Sequence, residues 1–348
     1  MRMRSQGLLD ETRAGSLADA AKRALAIQAQ DVTNGLLGVR ARTTLTADEA
    51  VRESKRKALC RSWLMRNTLF LFATRDLAWM RPALCERPLK PAALRFTEFG
   101  MNPSEVERIM DVLRRRLAKG PLPRPEAREL LISEGVDPGD DNRPIYWSIG
   151  VAALRGVLVI RPALERVPSF VAAPEPEPMS REKALGKIAR RYLAGHGPAT
   201  VEDLAYWLKA PKADARLGWE NAGRTVEVET ERGPMTALSG SVDPPRLDRP
   251  VVRLLGQWDH WLLSWADKSL VVPDHQKEVR LVSGRRTAYA DGRAFATWSL
   301  DRGSGTSATV VVEPFDPVPR RARAGLEAEA ADLGRFFGLD AKLRIATG

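Results

Sequence analysis

The sequence predicts an α+β fold class, in which tandem winged helix-turn-helix modules are followed by a C-terminal α/β cap. Helix, turn, helix and a short β-prone run recur in that order before residue 240, as they do in a winged helix. The last hundred residues instead combine several β-prone runs with one long amphipathic helix. Two turn-rich stretches, Val171–Ser180 and Ser239–Pro250, predict linkers that separate these parts.

The first module is predicted over 1–100. A capping box, Thr46-Ala47-Asp48-Glu49, marks a helix start, because a threonine hydroxyl and a glutamate three residues later satisfy amides that the first helical turn leaves unpaired. Thr46–Phe72 then follows the winged-helix order and ends in the β-prone run LFLF.

The second module is predicted over 101–170. A capping box at Ser104–Glu107 predicts its first helix. A later helix is predicted over Pro144–Arg155, and the run GVLVI at 156–160 is β-prone. These elements repeat the order of the first module.

The third module is predicted over 181–240. Thr200 starts a helix with Asp203 in the place of glutamate, a second helix follows over Pro211–Asn221, and TVEVE at 225–229 is β-prone. A Gly-Pro turn precedes a short helix in both the second and the third module. This is a weak internal repeat.

The cap is predicted over 250–348. Its β-prone runs are VVRLLG, EVRLV, RTAYA, RAFATW and TSATVVVEPF. The step Asp291-Gly292 predicts a tight hairpin between two of them. A final amphipathic helix is predicted over Arg320–Phe337.

Charge is concentrated in the first third of the chain. The 348 residues carry a net charge of +11, with a pI near 10.0. Residues 1–120 hold 23 lysines and arginines against 13 acidic residues, whereas the rest hold 32 against 31. A polyanion such as DNA or RNA is the natural partner of such a field, although an arginine-rich chain need not bind an anion.

Several classes of protein are disfavoured. The most apolar stretches, Leu69–Ala73 and Val157–Ile160, are too short to span a membrane, and the basic start lacks the apolar run of a secretory signal. We expect a cytoplasmic, nucleoid-associated monomer. The thiols and imidazoles are few and scattered, so we expect no metal and no cofactor. They are Cys60, Cys85, His196, His260 and His275.

Four segments together resemble the winged-helix DNA glycosylases typified by AlkZ and YcaQ, over nearly the whole chain. They are IQAQ at 27–30 with Arg42 twelve residues after it, SWLMRNTLFL at 62–71, YLAGHGPATVEDLAYW at 192–207, and LLGQWDHWLLSWADKS at 254–269 with DGRAFATW at 291–298. The resemblance implies a monofunctional glycosylase for bulky or crosslinked N7-alkylguanine, with Gln28 and Gln30 as its catalytic residues. The implied partner is double-stranded DNA that carries an alkylated purine.

The chain departs from the family's pattern at a few positions. The family usually has Arg-Gly-Thr-Leu-His where this chain has Arg66-Asn67-Thr68-Leu69-Phe70. Steps that are Phe-Asp and Asp-Arg-Ser in the family appear as Trp258-Asp259 and Asp267-Lys268-Ser269. These differences concern the range of substrates more than the fold.

Gln28 and Gln30 fit one kind of glycosidic cleavage. Most such enzymes use a carboxylate to stabilise the sugar cation and accept a proton. A carboxamide is no effective base, but it can hold a water through its oxygen and NH₂ group. N7-alkylation makes guanine cationic, so this base needs no acid to leave. We therefore expect both side chains to position the attacking water.

The spacing of the two glutamines gives a geometric condition. Residues two apart lie on one side of an extended chain but not of an α-helix, so the backbone near Ala29 must be extended or at a helix end. The alternative is that both residues end an amphipathic helix that begins near Leu17. Asp31 is either an assisting carboxylate or an ordinary surface residue.

Basic and polar residues near these motifs are the candidate DNA contacts. Arg42, Arg61 and Arg66 lie in the basic third and could hold phosphates. Thr68 and Lys268 are further candidates. Each arginine is equally compatible with a solvated surface position.

Three tryptophans, Trp258, Trp261 and Trp265, could stack on a base. Their i, i+3, i+7 spacing is typical of one buried helical face. We therefore expect all three in the core.

Two other functions remain open at this level. Winged helices are mostly binding modules, so the chain could be a non-catalytic DNA-binding protein or transcriptional regulator. It could also be a family member that binds lesions without turnover, given Asn67 and Phe70. The presence of several winged-helix modules in one chain, with no evident ligand-binding domain, favours a protein that wraps one DNA site over a regulator.

Overall fold

The computed structural model describes residues 1–165, 167–240, 249–272, 284–318 and 320–346. Within these residues, no helix combines the length and the apolar character needed to cross a membrane. The fold is mixed, with α-helices and β-sheets throughout. The sequence prediction of an α/β mixture is confirmed at this level.

The first hundred residues alternate short helices with three strands and a 3₁₀ turn at Asp10–Thr12. The elements are α1 (Arg2–Ser5), α2 (Leu17–Arg23), β1 (Ile27–Gln28), α3 (Val32–Arg42), α4 (Ala47–Ser54), β2 (Leu59–Trp63), β3 (Leu69–Ala73), α5 (Thr74–Leu84) and α6 (Glu86–Glu98). The capping box predicted at Thr46 is confirmed, since Thr46 Oγ1 accepts from the Glu49 amide at 3.3 Å and Glu49 Oε2 accepts from the Thr46 amide at 2.8 Å.

The next part adds three helices and three strands. They are α7 (Pro103–Ala118), β4 (Leu122–Pro123), α8 (Arg124–Ser133), α9 (Arg143–Leu154), β5 (Leu158–Arg161) and β6 (Ser169–Ala172). The capping box predicted at Ser104 is wrong by two residues. Asn102 is the cap and Glu105 its partner, because Pro103 is pre-organised for the first helical position and so places the cap one residue before itself.

One six-stranded sheet joins these two parts. Its strand order is β1-β3-β2-β5-β6-β4, and Arg61 of β2 pairs with Ile160 of β5. The predicted boundary between 1–100 and 101–170 therefore falls within a shared sheet. The linker predicted at Val171–Ser180 is corrected at its start, since Val171 and Ala172 pair with β5.

The following part consists of three helices and a hairpin: α10 (Arg181–His196), α11 (Val201–Leu208), α12 (Lys212–Glu220), β7 (Thr225–Thr230) and β8 (Gly233–Leu238). The predicted helix start at Thr200 is confirmed, with Asp203 as the reciprocal partner. Most of the linker predicted at Ser239–Pro250 lies outside the described residues, as does the run EVRLV.

The C-terminal part contains a five-stranded sheet covered by one long helix. Its elements are β9 (Val252–Leu255), α13 (His260–Leu263), β10 (Arg286–Ala290), β11 (Arg293–Arg302), β12 (Ser307–Pro314), α14 (Arg320–Phe337) and β13 (Asp340–Ile345). The strand order is β13-β12-β11-β10-β9, with β12 and β13 parallel. The predicted Asp291-Gly292 hairpin and the predicted helix Arg320–Phe337 are confirmed.

Helix α3, which lies in the N-terminal part of the chain, packs against the C-terminal part. Leu37 on α3 belongs to the buried cluster beneath the C-terminal sheet. On another side, a Cβ on Gly35 would lie 3.1 Å from the Ala29 Cβ, so the absence of a side chain allows α3 to pack directly on the chain that leads out of β1. The fold thereby holds β1 between distant parts of the sequence.

Candidate active site

The backbone around Ala29 is extended. Gln28 pairs with Phe70 of β3, and the Ala29 amide donates to the Leu69 carbonyl at 2.9 Å. Helix α2 ends at Arg23, so the alternative in which the two glutamines end that helix is wrong. Gln28 and Gln30 instead line one cavity of about 800 Å³, which satisfies the geometric condition set by their spacing.

Gln28 has a buried acceptor without a partner. The residue is 7% exposed, and within the described part of the chain its Oε1 atom has no hydrogen-bond partner. Its backbone is fixed, because the Gln28 amide donates to His260 Nε2 at 3.0 Å. The side chain thus presents an unsatisfied carbonyl oxygen from a rigid strand.

Both the oxygen and the nitrogen of the Gln30 side-chain amide form hydrogen bonds. Gln30 Oε1 accepts from the Leu69 amide at 2.9 Å, and Gln30 Nε2 donates to the Tyr146 hydroxyl at 3.3 Å. That hydroxyl also accepts from Trp63 Nε1 at 3.2 Å. The orientation of the Gln30 amide is therefore set by the protein.

His260 lies beneath this strand as a neutral ring. Burial, together with the charge of Arg42, lowers the pKa of His260 to about 3. A neutral ring is required for Nε2 to accept from the Gln28 amide. His260 is 1% exposed, so it supports the strand from within the core.

Asp31 is not among the residues that line the cavity. It caps α3, and its Oδ1 accepts from the Asn34 amide at 2.8 Å. A carboxylate at this position favours the helix N-terminus through the helix dipole and satisfies a free amide. Asp31 has a structural role here.

The predicted phosphate contact at Arg42 is corrected. Arg42 is 2% exposed and donates to both carboxylate oxygens of Asp259 at 2.7 and 2.8 Å. It also donates to Gln6 Oε1 at 2.7 Å. Burial would raise the pKa of Asp259, but the charge and hydrogen bonds of Arg42 lower it. Arg42 thus forms a buried ion pair that holds the fold, and a phosphate cannot reach it.

Arg61 is corrected for the same reason. It is 4% exposed, and its Nη1 donates to the carbonyl of Ala29, the residue between the two glutamines, at 3.4 Å. Burial lowers its pKa to about 10. Its guanidinium supports the loop after β1 rather than a DNA strand.

Arg66 and Thr68 do line the cavity. Arg66 and Asn67 both have φ of +55° in the turn between β2 and β3, a conformation that asparagine tolerates nearly as well as glycine. Phe70 is buried, with its ring centre 5.9 Å from that of His260. Asn67 therefore suits its turn, and Phe70 packs in the core.

The opposite side of the cavity comes from α6, α11 and the segment that follows α11. Its charged and aromatic residues are Arg87, Glu202, Tyr206, Lys209 and Lys212, and none of them was a candidate from the sequence. We call this side the outer wall and include in it Arg66, which contacts Tyr206 from the turn between β2 and β3. We call β1 with Gln30 and the turn at 256–259, together with helix α3 that supports them, the inner wall. Glu202 and Tyr206 lie within the family segment at 192–207, but that segment does not indicate that they line a cavity, because they meet the glutamines through tertiary packing alone.

Tyr206 lies between two cations. The Arg66 guanidinium is 4.9 Å and the Lys268 ammonium 4.5 Å from the centre of its ring. Burial would raise the pKa of Tyr206, but the charges of Lys268 and Arg66 lower it. Lys268 also donates to the Trp265 carbonyl at 2.6 Å, so this candidate DNA contact is held against the outer wall.

The core prediction for the tryptophans is confirmed at two of three positions. Trp261 and Trp265 are buried. Trp258 is half-buried, lines the cavity and has φ of +58°. Helix α13 begins only at His260, so the helical spacing does not extend to Trp258. Such a backbone costs a bulky residue roughly 1–2 kcal/mol.

Comparison with known proteins agrees with this architecture. The sequence profile described as "AlkZ-like: DNA glycosylase AlkZ-like" matches residues 21–336. The chain belongs to the AlkZ-like DNA glycosylase family. It is therefore an enzyme of DNA repair, and the resemblance identified from the sequence is confirmed.

Two individual proteins are similar along nearly their whole length. The "Interstrand DNA cross-link repair glycosylase" of Streptomyces sahachiroi is 27% identical over 363 aligned positions, which cover 97% of this chain and 95% of that protein. The solved structure of Streptomyces sahachiroi DNA glycosylase AlkZ superposes with a TM-score of 0.80 at 25% identity, covering 99% of this chain and 97% of that one.

Proposed function

We propose that this AlkZ-like glycosylase hydrolyses the N-glycosidic bond of N7-alkylated guanine in duplex DNA, including bulky and crosslinked adducts. Gln28 and Gln30 position the attacking water. The observation that carries this proposal is the buried, unpartnered Oε1 of Gln28 beside the cavity that Gln30 also lines. The function of the Streptomyces sahachiroi relative supports extending the substrates to crosslinks.

The chemistry needs placement of water more than it needs a base. When the C1′–N9 bond breaks, its electrons neutralise the cationic purine, so no proton need be given to the leaving group. Water bonds to C1′ and releases a proton to solvent, which leaves an abasic site. Gln28 Oε1 accepts one hydrogen of that water and the fixed amide of Gln30 orients it.

The carboxylate content of the cavity agrees with this route. Among the described residues that line it, Glu202 is the single carboxylate. Glu202 lies on the outer wall and is paired with Lys212 at 3.9 Å. It is therefore a poor general base and a useful control.

The outer wall supplies positive charge for DNA. Arg66, Arg87, Lys209 and Lys212 face the cavity, and such side chains bind phosphates and fix the register of a duplex. We infer that the modules predicted at 1–100, 101–170 and 181–240 wrap one DNA site. The protein would act as a monomer on nucleoid DNA in the cytoplasm.

Excision from a defined duplex tests the proposal. The protein is incubated with a duplex that carries one N7-methylguanine, and the products are heated in alkali. We expect strand breaks at the lesion with the wild type and with Glu202→Gln, and strongly reduced breaks with Gln28→Ala and Gln30→Ala. Binding without breaks would favour a non-catalytic protein. Full excision by both glutamine variants would show that neither positions water.

A crosslinked duplex extends the same experiment. An N7-guanine interstrand crosslink migrates as one slow species on a denaturing gel, and unhooking releases the two strands. We expect release by the wild type and not by Gln28→Ala. If the protein excises N7-methylguanine and leaves the crosslink intact, the proposal is restricted to adducts that involve one strand of the duplex.

A further inference from the structure

Trp258 occupies a turn position that favours a different residue. The Asp259 amide donates to the Gly256 carbonyl at 3.3 Å, which closes a four-residue turn. Trp258 is the third residue of this turn, with φ of +58°. Glycine or asparagine is preferred where such a turn requires positive φ. A bulky side chain persists there only when the surrounding structure enforces it.

Both neighbours of Trp258 are fixed to α3. The Gln257 amide donates to Asn34 Oδ1 at 3.1 Å. The Asp259 carboxylate accepts two hydrogen bonds from Arg42. Because α3 starts at Val32, two residues after Gln30, one rigid support carries both the glutamines and the tryptophan.

Trp258 lines the same cavity as the two glutamines. Buried tryptophans nearby have their indole nitrogens bonded, as Trp261 to the Gly292 carbonyl at 2.9 Å and Trp265 to the His196 carbonyl at 3.1 Å. For Trp258, the described residues provide neither a hydrogen-bond acceptor for Nε1 nor a ring or cation against its face. It is a large aromatic surface that the fold itself does not use.

The other aromatic residue of the cavity is unsuited to a cationic base. Tyr206 already has Arg66 and Lys268 against its ring, and both would repel a positive purine. The indole is the aromatic face that attracts cations most strongly. Of the two rings, Trp258 alone therefore matches the charge of an N7-alkylated base.

We propose that Trp258 stacks on the N7-alkylated purine and makes the site prefer a cationic base over a neutral one. This inference rests on the proposed function. The strained turn presents the indole beside Gln28 and Gln30, so base recognition and water placement share one support. Trp258 is then a specificity-determining residue, which contacts the substrate without taking part in proton transfer.

Binding to three matched duplexes tests the inference. The duplexes are identical except at one position, which holds a 2′-fluorinated N7-methyl-deoxyguanosine that resists hydrolysis, a tetrahydrofuran abasic analogue or undamaged guanine. Trp258→Asn keeps a residue that tolerates positive φ and removes the ring. We expect it to weaken binding of the alkylated duplex by about 10- to 100-fold while binding of the abasic duplex stays within about twofold. Trp258→Phe should retain most of the preference.

Trp219 provides the matched control. It is half-buried near the end of α12 and does not line the cavity, so Trp219→Asn should leave the preference for the alkylated duplex unchanged. Equal weakening of all three duplexes by Trp258→Asn, or an unchanged preference, would overturn the inference. Since each variant is compared with itself on different ligands, partial unfolding cancels from the ratio.

The outcome is separable from that of the proposed function. If the wild type excises N7-methylguanine and Trp258→Asn keeps the wild-type preference, stacking is wrong and the glycosylase activity stands. If the wild type does not excise but prefers the alkylated duplex in a manner that depends on Trp258, stacking stands and the catalytic proposal fails.

Discussion

The inner and outer walls of the cavity are built in opposite ways. On the inner wall, Gln28, Arg42 and His260 are buried and joined by hydrogen bonds between parts of the chain more than two hundred residues apart. On the outer wall, Arg87, Lys209 and Lys212 are exposed. A reacting water must be placed accurately, which requires rigid support, whereas a phosphate can be held by flexible, solvated cations.

Arg42 and Arg66 show the contrast within one residue type. Both were candidate phosphate contacts from the sequence. Arg42 makes a buried two-point ion pair with Asp259, while Arg66 lines the cavity and donates to the Tyr206 carbonyl at 3.1 Å. The walls should therefore respond differently to mutation.

The largest effect is expected at the ion pair under the inner wall. Arg42→Met leaves the Asp259 carboxylate buried and unpaired, which should lower the free energy of unfolding by about 3–5 kcal/mol. Urea denaturation followed by circular dichroism measures it. Arg66→Met is the control, with an expected loss below about 1 kcal/mol. Similar losses in both variants would mean that the inner wall does not depend on this pair.

The next effect separates the two glutamines. We expect single-turnover excision of N7-methylguanine to fall by about 10²–10³-fold in Gln28→Ala and in Gln30→Ala, by analogy with the removal of other positioned hydrogen-bonding groups. Stability should differ, because Gln30 satisfies the Leu69 amide and Gln28 Oε1 satisfies nothing in the described structure. Gln30→Ala should lose about 1 kcal/mol and Gln28→Ala almost none. Equal stability losses would contradict this division of roles.

A smaller effect concerns pH and the buried imidazole. The pKa of His260 is lowered to about 3 in the folded protein, against about 6.5 when unfolded. Between these values the unfolded state binds the extra proton, so stability is complete above pH 6.5 and is lost as pH falls towards 3. From pH 7 to pH 5 the loss is about 2 kcal/mol.

Unfolding midpoints in urea across this pH range test that sign. His260→Gln should show a shallower decline, while His196→Gln leaves the His260 contribution in place. The pKa of His196 is also lowered by burial, so the wild type should decline more steeply than either variant. Parallel profiles for the wild type and His260→Gln would be inconsistent with a neutral His260.

The smallest effects are expected on the outer wall. Lys209→Ala and Lys212→Ala should each weaken DNA binding by about 3- to 10-fold and reduce the slope of log Kd against log salt by about one. The single-turnover rate of excision by the bound complex should stay unchanged. Lys342→Ala, which removes the same charge from β13, is the control. A change in the single-turnover rate would place these lysines in the chemistry.

Some of the site was predictable from the sequence because it depends on short-range geometry. The i, i+2 spacing of Gln28 and Gln30 required a backbone near Ala29 that is extended or at a helix end, and the chain that continues from β1 is extended there. The caps at Thr46 and Thr200 were found for the same reason, while Pro103 moved the cap expected at Ser104 by two residues. A cap is a hydrogen bond between residues three apart, so a few consecutive residues are enough to predict it.

The sequence by itself thus determined the family, the enzyme class and the local geometry that lets the two glutamines act together. Tertiary structure alone decided that Arg42 faces Asp259, 217 residues away, that Trp258 lines the cavity instead of the core, and that Lys209 faces the glutamines. The reason is that burial and ion pairing depend on which distant segments pack together, and arginine, lysine and tryptophan are compatible with either environment until that packing is known.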